Sequence, residues 1–187
     1  MPDDDGGDNG RVSTRLAFLR AVNLGKRRVS MPRLKELLVE AGYDDAWTYI
    51  NSGNAGFSSG TARGPLETEL EKLFEAEFGF ECTTFVRTVA EVEKALALEP
   101  FTVRTGDTYF VTFLKKAPTA AQKKGLKALS GDFDTLQVHG ADVHWLMHGK
   151  SSDSPLTRRD WEKVLGPLSS TSRNTTMLRK LVAKASG

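Results

Sequence analysis

The stretch "TYINSGNAGF", residues 48–57, contains two short apolar segments separated by four turn-forming residues at 51–54. This is the spacing of a β-hairpin, because glycine takes a positive φ without steric cost and asparagine tolerates one. Amphipathic helical patterns lie on either side of the hairpin, at residues 31–41 and 65–78. Two further apolar segments are predicted to be strands, at residues 16–22 and 82–87. The first half of the chain is therefore predicted to have the order β-α-β-β-α-β.

The second half of the chain repeats this order. Its predicted strands cover residues 108–114, 133–138 and 143–148. One predicted helix follows the capping-box pair Thr88 and Glu91 and ends before Pro100. The other predicted helices cover residues 118–129, 155–165 and 174–185. A split β-α-β arrangement that occurs twice predicts an α+β fold of two ferredoxin-like units, each with β-α-β-β-α topology.

The predicted domain boundaries follow from these elements. Residues 1–13 are predicted to be a disordered acidic tail, because they lack the apolar side chains that would offset the entropy of ordering. Residues 14–88 form the first ferredoxin-like unit. Residues 89–187 form the second unit together with the C-terminal helix.

The composition favours a cytoplasmic protein. Cys82 is the only cysteine, so no intramolecular disulfide can form, which is typical of a reducing compartment. No segment approaches the ~20 apolar residues that a membrane span needs, and the N-terminal residues lack the basic and apolar regions of a signal peptide. We therefore expect a cytoplasmic protein without a membrane partner.

Charges are distributed unevenly along the chain. Residues 11–35 contain eight basic residues and no acidic one, whereas residues 66–99 contain nine glutamates and three basic residues. Residues 150–187 are basic again, with eight positive and three negative side chains. The two basic segments either bind an anionic partner or are solvated faces opposite the acidic helix.

The loop predicted after the first strand contains three consecutive cations, Lys26, Arg27 and Arg28. No apolar residue anchors them, so we expect them to be exposed and mobile. In this position they are expected to contact the phosphates of a nucleic acid without reading its bases.

The chain contains no complete catalytic, cofactor-binding or metal-binding motif. G-x-S-x-G, P-loop and dinucleotide fingerprints are absent. His144 and His148 share one face of a predicted strand, but at that spacing they lie about 13 Å apart, too far for one metal ion. Glu67, Glu71 and Glu75 have the spacing of an exposed helix face. We therefore expect no cofactor and no metal site, and the sequence identifies no catalytic residue.

Three stretches resemble the signature sequences of a known bacterial family, the 1697 family of domains of unknown function. They are "FLRAVNLGKRRVSM" at residues 18–31, "TYINSGNAGF" at 48–57 and "TSRNTTMLRKL" at 171–181. The resemblance covers essentially the whole chain after the tail and implies two paired, intertwined ferredoxin-like units with no established activity. Two departures matter. Ala21 and Val22 replace the usual Gly-Ile, and Thr175 replaces a usual Trp.

The family pattern marks a set of polar residues as candidate ligand-binding positions. They are Arg20, Asn23, Asn51, Ser52, Gly53, Asn54, Arg173 and Asn174. Arg173 and Asn174 lie where the last helix is predicted to begin, so free backbone N–H groups and a positive charge would form an anion site there. The alternative is that Asn174 or Ser172 caps the helix while Arg173 pairs with a glutamate.

The four residues at 51–54 have two possible roles. In the first, they form only a turn. In the second, the turn and the helix start at Arg173 lie together, and Asn51, Ser52, Asn54 and Arg173 form one polar cleft for an anionic or amide-bearing ligand.

The sequence supports two functions from different classes. The first is a non-catalytic binding or regulatory module for an anionic ligand, either a nucleotide or a nucleic acid. The alternative is a small-molecule enzyme with a polar Asn/Arg cleft between the two units, whose substrate is oriented by Asn23, Asn51, Asn54 and Arg173. Salt-sensitive binding to nucleic acid would favour the first function, and a deep closed pocket containing the asparagines would favour the second.

Overall fold

The computed structural model describes residues 11–20, 22–23, 25–167 and 169–187. These residues divide into two compact units, unit 1 ending at Val89 and unit 2 beginning at Ala90. Each unit contains one four-stranded antiparallel sheet. The predicted α+β class with two ferredoxin-like units is confirmed. Most of the predicted tail, residues 1–10, lies outside the described residues.

Unit 1 alternates strands and helices in the predicted order. Its strands are β1 (Ser13–Leu19), β2 (Trp47–Tyr49), β3 (Asn54–Ser59) and β4 (Thr84–Thr88), and its helices are α1 (Met31–Glu40) and α2 (Arg63–Phe78). The strands lie in the order β2-β3-β1-β4. β1 pairs with β3 on one side and β4 on the other. Its residues 16–19 are all buried, and since successive side chains point to opposite faces, both faces of the strand are covered there, which accounts for the uninterrupted apolar sequence.

Unit 2 begins with a helix and then repeats the arrangement of unit 1. Its strands are β5 (Thr108–Leu114), β6 (Asp134–His139), β7 (Asp142–Met147) and β8 (Ser170–Asn174). Its helices are α3 (Val89–Ala97), α4 (Ala120–Ala128), α5 (Arg158–Leu165) and α6 (Thr175–Ser186). The strand order is β6-β7-β5-β8. None of the helices in the described part of the chain is long and apolar enough to cross a membrane.

Strand β8 was missed by the sequence analysis, which predicted a helix start in this region. Its sequence, "STSRN", is polar throughout and shows no apolar alternation. It is a strand because its backbone pairs antiparallel with β5 over residues 170–174. With β8, unit 2 has the complete β-α-β-β-α-β order, like unit 1.

The core of unit 1 lies between one face of its sheet and both helices. Buried residues of this cluster include Leu19 and Phe57 from the strands, and Leu34, Leu70 and Phe74 from the helices. Cys82 belongs to the same cluster and is buried. Burial raises the pKa of its thiol to about 12, so this thiol stays protonated at neutral pH.

The core of unit 2 contains Leu126 from α4, Trp161 from α5 and Leu136 from the sheet. Gly125 lets the two helices pack closely, since a Cβ atom at this position would lie 2.8 Å from Cγ1 of Val164. The glycine that weakens α4 as an isolated helix therefore serves its packing against α5.

The prediction that Glu67, Glu71 and Glu75 form an exposed face of α2 is wrong for two of the three residues. Glu67 is buried, and its Oε1 accepts a hydrogen bond from the backbone N–H of Val86 at 2.8 Å. Glu71 is half-buried and accepts from the N–H of Thr84 at 2.9 Å. Strand β4 is an edge strand, and these two carboxylates satisfy amide groups that no further strand pairs with. Glu75 alone of the three predicted residues is exposed.

Replacing Glu67 with alanine should therefore lower the free energy of unfolding by about 1–3 kcal/mol, because the buried amide of Val86 loses its acceptor. Glu67→Gln keeps an acceptor oxygen and should lie closer to the wild type. Glu75→Ala is the matched control on the exposed side of the helix and should change stability by less than about 0.5 kcal/mol. Urea denaturation measures all three, and equal losses at positions 67 and 75 would contradict the assignment.

Candidate functional site

The side chain of Asn23 joins two of the sequence-predicted motifs within unit 1. Its Nδ2 donates to the backbone oxygen of Asn51 at 2.7 Å, and its Oδ1 accepts from the backbone N–H of Val29 at 2.9 Å. Asn23 adopts φ +58°, a conformation that asparagine tolerates better than most residues. It thereby connects the basic loop, residues 25–29, to the polar turn, residues 51–54.

The polar turn needs a glycine at position 53. Gly53 has φ +76°, and its carbonyl oxygen accepts a hydrogen bond from the N–H of Leu19 at 2.8 Å. A Cβ atom on residue 53 would lie 2.5 Å from Cγ2 of Val22 and 3.0 Å from Cβ of Leu19. Both the backbone conformation and the space therefore require glycine, so the packing of the turn explains this residue.

Asn54 supports the polar turn from inside. It is fully buried, and its Nδ2 donates to the backbone oxygen of Tyr49 at 3.1 Å and to Oγ of Ser52 at 2.8 Å. Asn51 and Ser52 are exposed. The interpretation of residues 51–54 as a turn accounts for Asn54, whereas Asn51 and Ser52 place polar side chains at the surface next to Asn23.

The basic loop is exposed, as predicted, at Lys26, Arg27 and Arg28. Arg28 donates through Nη1 to the backbone oxygens of Gly25 at 2.7 Å and Arg27 at 2.9 Å. The guanidinium carbon of Arg27 lies 5.2 Å from the centroid of the Phe80 ring, a cation–π distance. The expectation that no apolar residue anchors the cations is therefore wrong for Arg27. Within the described residues, none of the three cations forms an ion pair with a carboxylate.

Arg20 is the remaining family-marked residue of unit 1. It forms a bend directly after β1 and is half-buried. Its backbone N–H donates to the carbonyl oxygen of Thr83 at 2.8 Å. Arg20 therefore lies between the end of the central strand and the residues that lead into β4.

In unit 2, the predicted residues around the last helix have different roles. Asn174 is the N-cap of α6, and its Oδ1 accepts from the N–H of Thr176 at 2.8 Å, so the capping alternative is confirmed for Asn174. Ser172 does not cap the helix, because it lies in β8 and its hydroxyl contacts Oγ1 of Thr112 at 2.8 Å.

Arg173 lies in strand β8 and is buried. Its Nη1 donates to Oγ1 of Thr171 at 2.7 Å and to the backbone oxygen of Ser172 at 3.0 Å. Burial lowers the pKa of Arg173 to about 10, which still leaves the guanidinium protonated at neutral pH. In the sheet register Arg173 and His144 both lie opposite Val111, so they belong to one face of the unit 2 sheet.

A buried tyrosine–histidine pair lies on the same face, and the sequence analysis did not find it. Oη of Tyr109 lies 2.5 Å from Nδ1 of His144, and the rings of His144 and His139 are perpendicular with centroids 5.1 Å apart. Within the described residues, Nε2 of each histidine is buried and has no hydrogen-bond partner. Burial, together with His139, lowers the pKa of His144 to about 4, so His144 is neutral at pH 7.

His148 lies apart from these two histidines. It is exposed, and its Nδ1 is 3.2 Å from Oδ1 of Asp107. Among the described residues, no group of three or more His, Cys, Asp or Glu side chains is arranged to hold a metal ion.

Comparison with known proteins now identifies the family. The family model described as "Protein of unknown function (DUF1697)" matches residues 12–144, most of the chain. The chain belongs to the DUF1697 family. The resemblance to this family is therefore confirmed, and the stretches at 18–31 and 48–57 lie within the matched range, whereas the stretch at 171–181 lies beyond it.

A solved structure agrees with the fold of this DUF1697 protein. It is the conserved bacterial protein SP0830 from Streptococcus pneumoniae, with a TM-score of 0.68 over 95% of this chain and 100% of that chain. The two sequences are 17% identical, so the similarity concerns the fold. No curated protein matches the chain in sequence.

The matched range divides the family-marked residues of this DUF1697 protein. Asn23 and the polar turn lie inside residues 12–144, whereas Arg173 and Asn174 lie beyond it. The polar surface around Asn23 is thus built from residues that the family model covers. That Asn54 and Arg173 share one cleft stays a prediction.

The stability of the DUF1697 protein should depend on the protonation of His144. In the unfolded chain the pKa of histidine is about 6.5, whereas in the fold it is lowered to about 4. Between these values the unfolded state binds a proton that the folded state does not. Stability should therefore be complete above pH ~6.5 and fall by about 1–3 kcal/mol as the pH decreases to about 4.

Replacing His144 with glutamine removes this titration. The variant should be less stable at pH 7, because Tyr109 loses its partner, and should lose less stability than the wild type between pH ~6.5 and about 4. His148→Gln is the exposed control that leaves His144 in place, so the loss of stability caused by His144 should persist in it. Chemical denaturation across this pH range measures the difference, and parallel profiles for the wild type and His144→Gln would contradict the lowered pKa.

Proposed function

We propose that this DUF1697 protein is a non-catalytic binding or regulatory module for an anionic ligand, either a nucleotide or a nucleic acid. One observation carries the proposal. Lys26, Arg27 and Arg28 are consecutive and exposed, and within the described residues no carboxylate neutralises them. Lysine and arginine side chains in this state bind phosphate groups and release the counterions of a nucleic acid.

The geometry of the basic loop supports this proposal. Asn23 fixes Val29 at one end of the loop and the polar turn beside it, and Arg28 bonds to two carbonyl oxygens of its own loop. A loop held by such bonds loses less conformational entropy on binding than a free segment does. Arg27 lies over the ring of Phe80, and this contact orients the guanidinium of Arg27. Arg27 itself remains exposed.

The polar turn adds neutral hydrogen-bonding groups to this positive surface. The side-chain amide of Asn51 and the hydroxyl of Ser52 belong to exposed residues, and the backbone of Asn51 is joined to Asn23. Amide and hydroxyl groups donate to phosphate oxygens without adding negative charge. We therefore infer that the ligand contacts Lys26, Arg27, Arg28, Asn51 and Ser52.

The single cysteine, which excludes an internal disulfide, supports a cytoplasmic location.

The alternative is a small-molecule enzyme in which the asparagines and Arg173 orient a substrate. Its support is the unusual environment of Arg173, whose pKa burial lowers to about 10, on the same sheet face as the neutral His144. Ionisable groups with shifted pKa values concentrate at functional sites. Turnover that is lost in Arg173→Gln and kept in the basic-loop variant would favour the enzyme.

The binding proposal is tested by titrating a labelled single-stranded RNA with the full chain at several salt concentrations. Replacing Lys26, Arg27 and Arg28 together with alanine should weaken binding. It should also reduce the slope of log K against log[salt] by about 0.7 for each phosphate that the variant no longer neutralises. Fluorescence anisotropy measures both quantities.

The matched control removes the same charge elsewhere. Lys72, Lys94 and Lys180 are exposed, and their joint replacement with alanine also removes three positive charges. If both triple variants lose the same affinity, net charge rather than the basic loop causes binding. If the wild type shows no salt-dependent binding, nucleic acid is excluded as the ligand.

A further inference from the structure

Unit 2 contains a cleft that shares Tyr109 with the buried tyrosine–histidine pair. The volume of the cleft is about 290 Å³, close to the lower end of the range for small-molecule sites. The segment that follows α3 and the first half of α6 form its walls together with β5. The lining residues are Glu99, Phe101, Val103, Tyr109, Thr175 and Arg179.

The floor of the cleft is apolar and fixed. The rings of Phe101 and Tyr109 pack edge to face, with centroids 5.5 Å apart and an interplanar angle of 82°. The hydroxyl of Tyr109 is held by His144, and its backbone oxygen accepts from Oγ1 of Thr175 at 3.1 Å. Val103 is 48% exposed and adds apolar surface in contact with solvent. An apolar side chain of a ligand would therefore meet a preformed aromatic surface.

The rim of the cleft carries one positive and one negative charge. Nη2 of Arg179 lies 3.4 Å from Oε1 of Glu99, and the two side chains are 54% and 67% exposed. An ion pair so exposed to water contributes little stability, so the charged groups of a ligand can replace it at little cost. The rim has no net charge, which distinguishes this cleft from the basic loop.

The backbone of Glu99 is strained. Its φ is +39°, and it precedes Pro100, a position that restricts the preceding residue to extended conformations. A non-glycine residue in this conformation costs about 1–3 kcal/mol, and such residues concentrate at ligand-binding segments. In this structure the strained backbone places the carboxylate of Glu99 beside Arg179.

We propose that this cleft binds a free hydrophobic α-amino acid as its zwitterion. The ligand carboxylate pairs with the guanidinium of Arg179, and the ligand ammonium pairs with the carboxylate of Glu99. The ligand side chain lies on Phe101, Tyr109 and Val103. The two charges of an α-amino acid are separated by one carbon atom, which matches two rim groups that already lie within ion-pair distance of each other.

Charge complementarity favours a zwitterion over ligands that carry only one charge. A phosphate or a simple carboxylate would pair with Arg179 but would be repelled by Glu99. A protonated amine would pair with Glu99 but would be repelled by Arg179. Only a ligand that carries both charges replaces the Glu99–Arg179 pair without leaving one of them unpaired. The inference is independent of the proposed binding of anions at the basic loop.

The test is a calorimetric titration of the full chain with L-phenylalanine, L-leucine and L-tryptophan at millimolar concentrations. Two truncated analogues of phenylalanine serve as probes of the charges: 3-phenylpropanoate lacks the ammonium group and phenethylamine lacks the carboxylate. At least one of the amino acids should bind saturably. Each truncated analogue should bind roughly tenfold more weakly than phenylalanine, since it leaves one rim charge unpaired.

Variants of the two rim residues complete the test, and both positions are exposed enough for the fold to tolerate them. Arg179→Gln should weaken phenylalanine binding roughly tenfold, whereas Lys180→Gln, the next residue on α6, should leave it unchanged. Glu99→Gln should weaken the binding of phenylalanine, which loses the partner of its ammonium group. The same variant should strengthen the binding of 3-phenylpropanoate, because the carboxylate of Glu99 no longer repels the carboxylate of this ligand.

Three results would overturn the proposal. They are no saturable binding of any of the three amino acids, binding that Arg179→Gln leaves unchanged, and tighter binding of 3-phenylpropanoate than of phenylalanine to the wild type.

Discussion

The carboxamide of Asn23 holds together the part of unit 1 on which the proposed binding surface depends. It bonds to the backbone of Asn51 on one side and of Val29 on the other, so two segments that are separated along the chain share one anchor. Next to it, Leu19 bonds to the carbonyl of Gly53, and Val22 fills the space that a side chain at 53 would need. The end of β1, the basic loop and the polar turn are therefore one constrained structure, in which the asparagine at 23 and the glycine at 53 have physical reasons.

The two proposed sites differ in charge, and this difference sets their ligands. At the basic loop three cations stand without carboxylate partners among the described residues, a field that attracts phosphates. At the cleft of unit 2, Glu99 and Arg179 neutralise each other above an aromatic floor, so a neutral molecule with separated charges fits better than an anion.

The sequence predicted the fold well wherever apolar periodicity is strong. The hairpin at 48–57 was recognised from its spacing and turn residues, and the apolar faces of α1 and α2 were recognised from their helical periodicity. β8 was missed because "STSRN" has no apolar alternation and forms a strand only through pairing with β5. The exposed face assigned to Glu67 and Glu71 was wrong because helical spacing does not show that the edge strand β4 lies beside that face.

The candidate site was predicted in part. The family pattern marked Asn23 and Asn51, but their contact spans 28 residues and follows from the tertiary fold. Tyr109 and His144 come together because β5 pairs with β7, and Glu99 and Arg179 are 80 residues apart in the chain. No local spacing could have shown either pair.

Hydrogen exchange at the backbone amide of Val29 tests the anchoring role of Asn23 most directly. This amide donates to Oδ1 of Asn23, so it should exchange slowly in the wild type and quickly in Asn23→Ala. The amide of Leu19, which bonds to Gly53 rather than to Asn23, is the internal control and should stay protected in both proteins. Fast exchange of Val29 in the wild type, or protection that survives Asn23→Ala, would contradict the account.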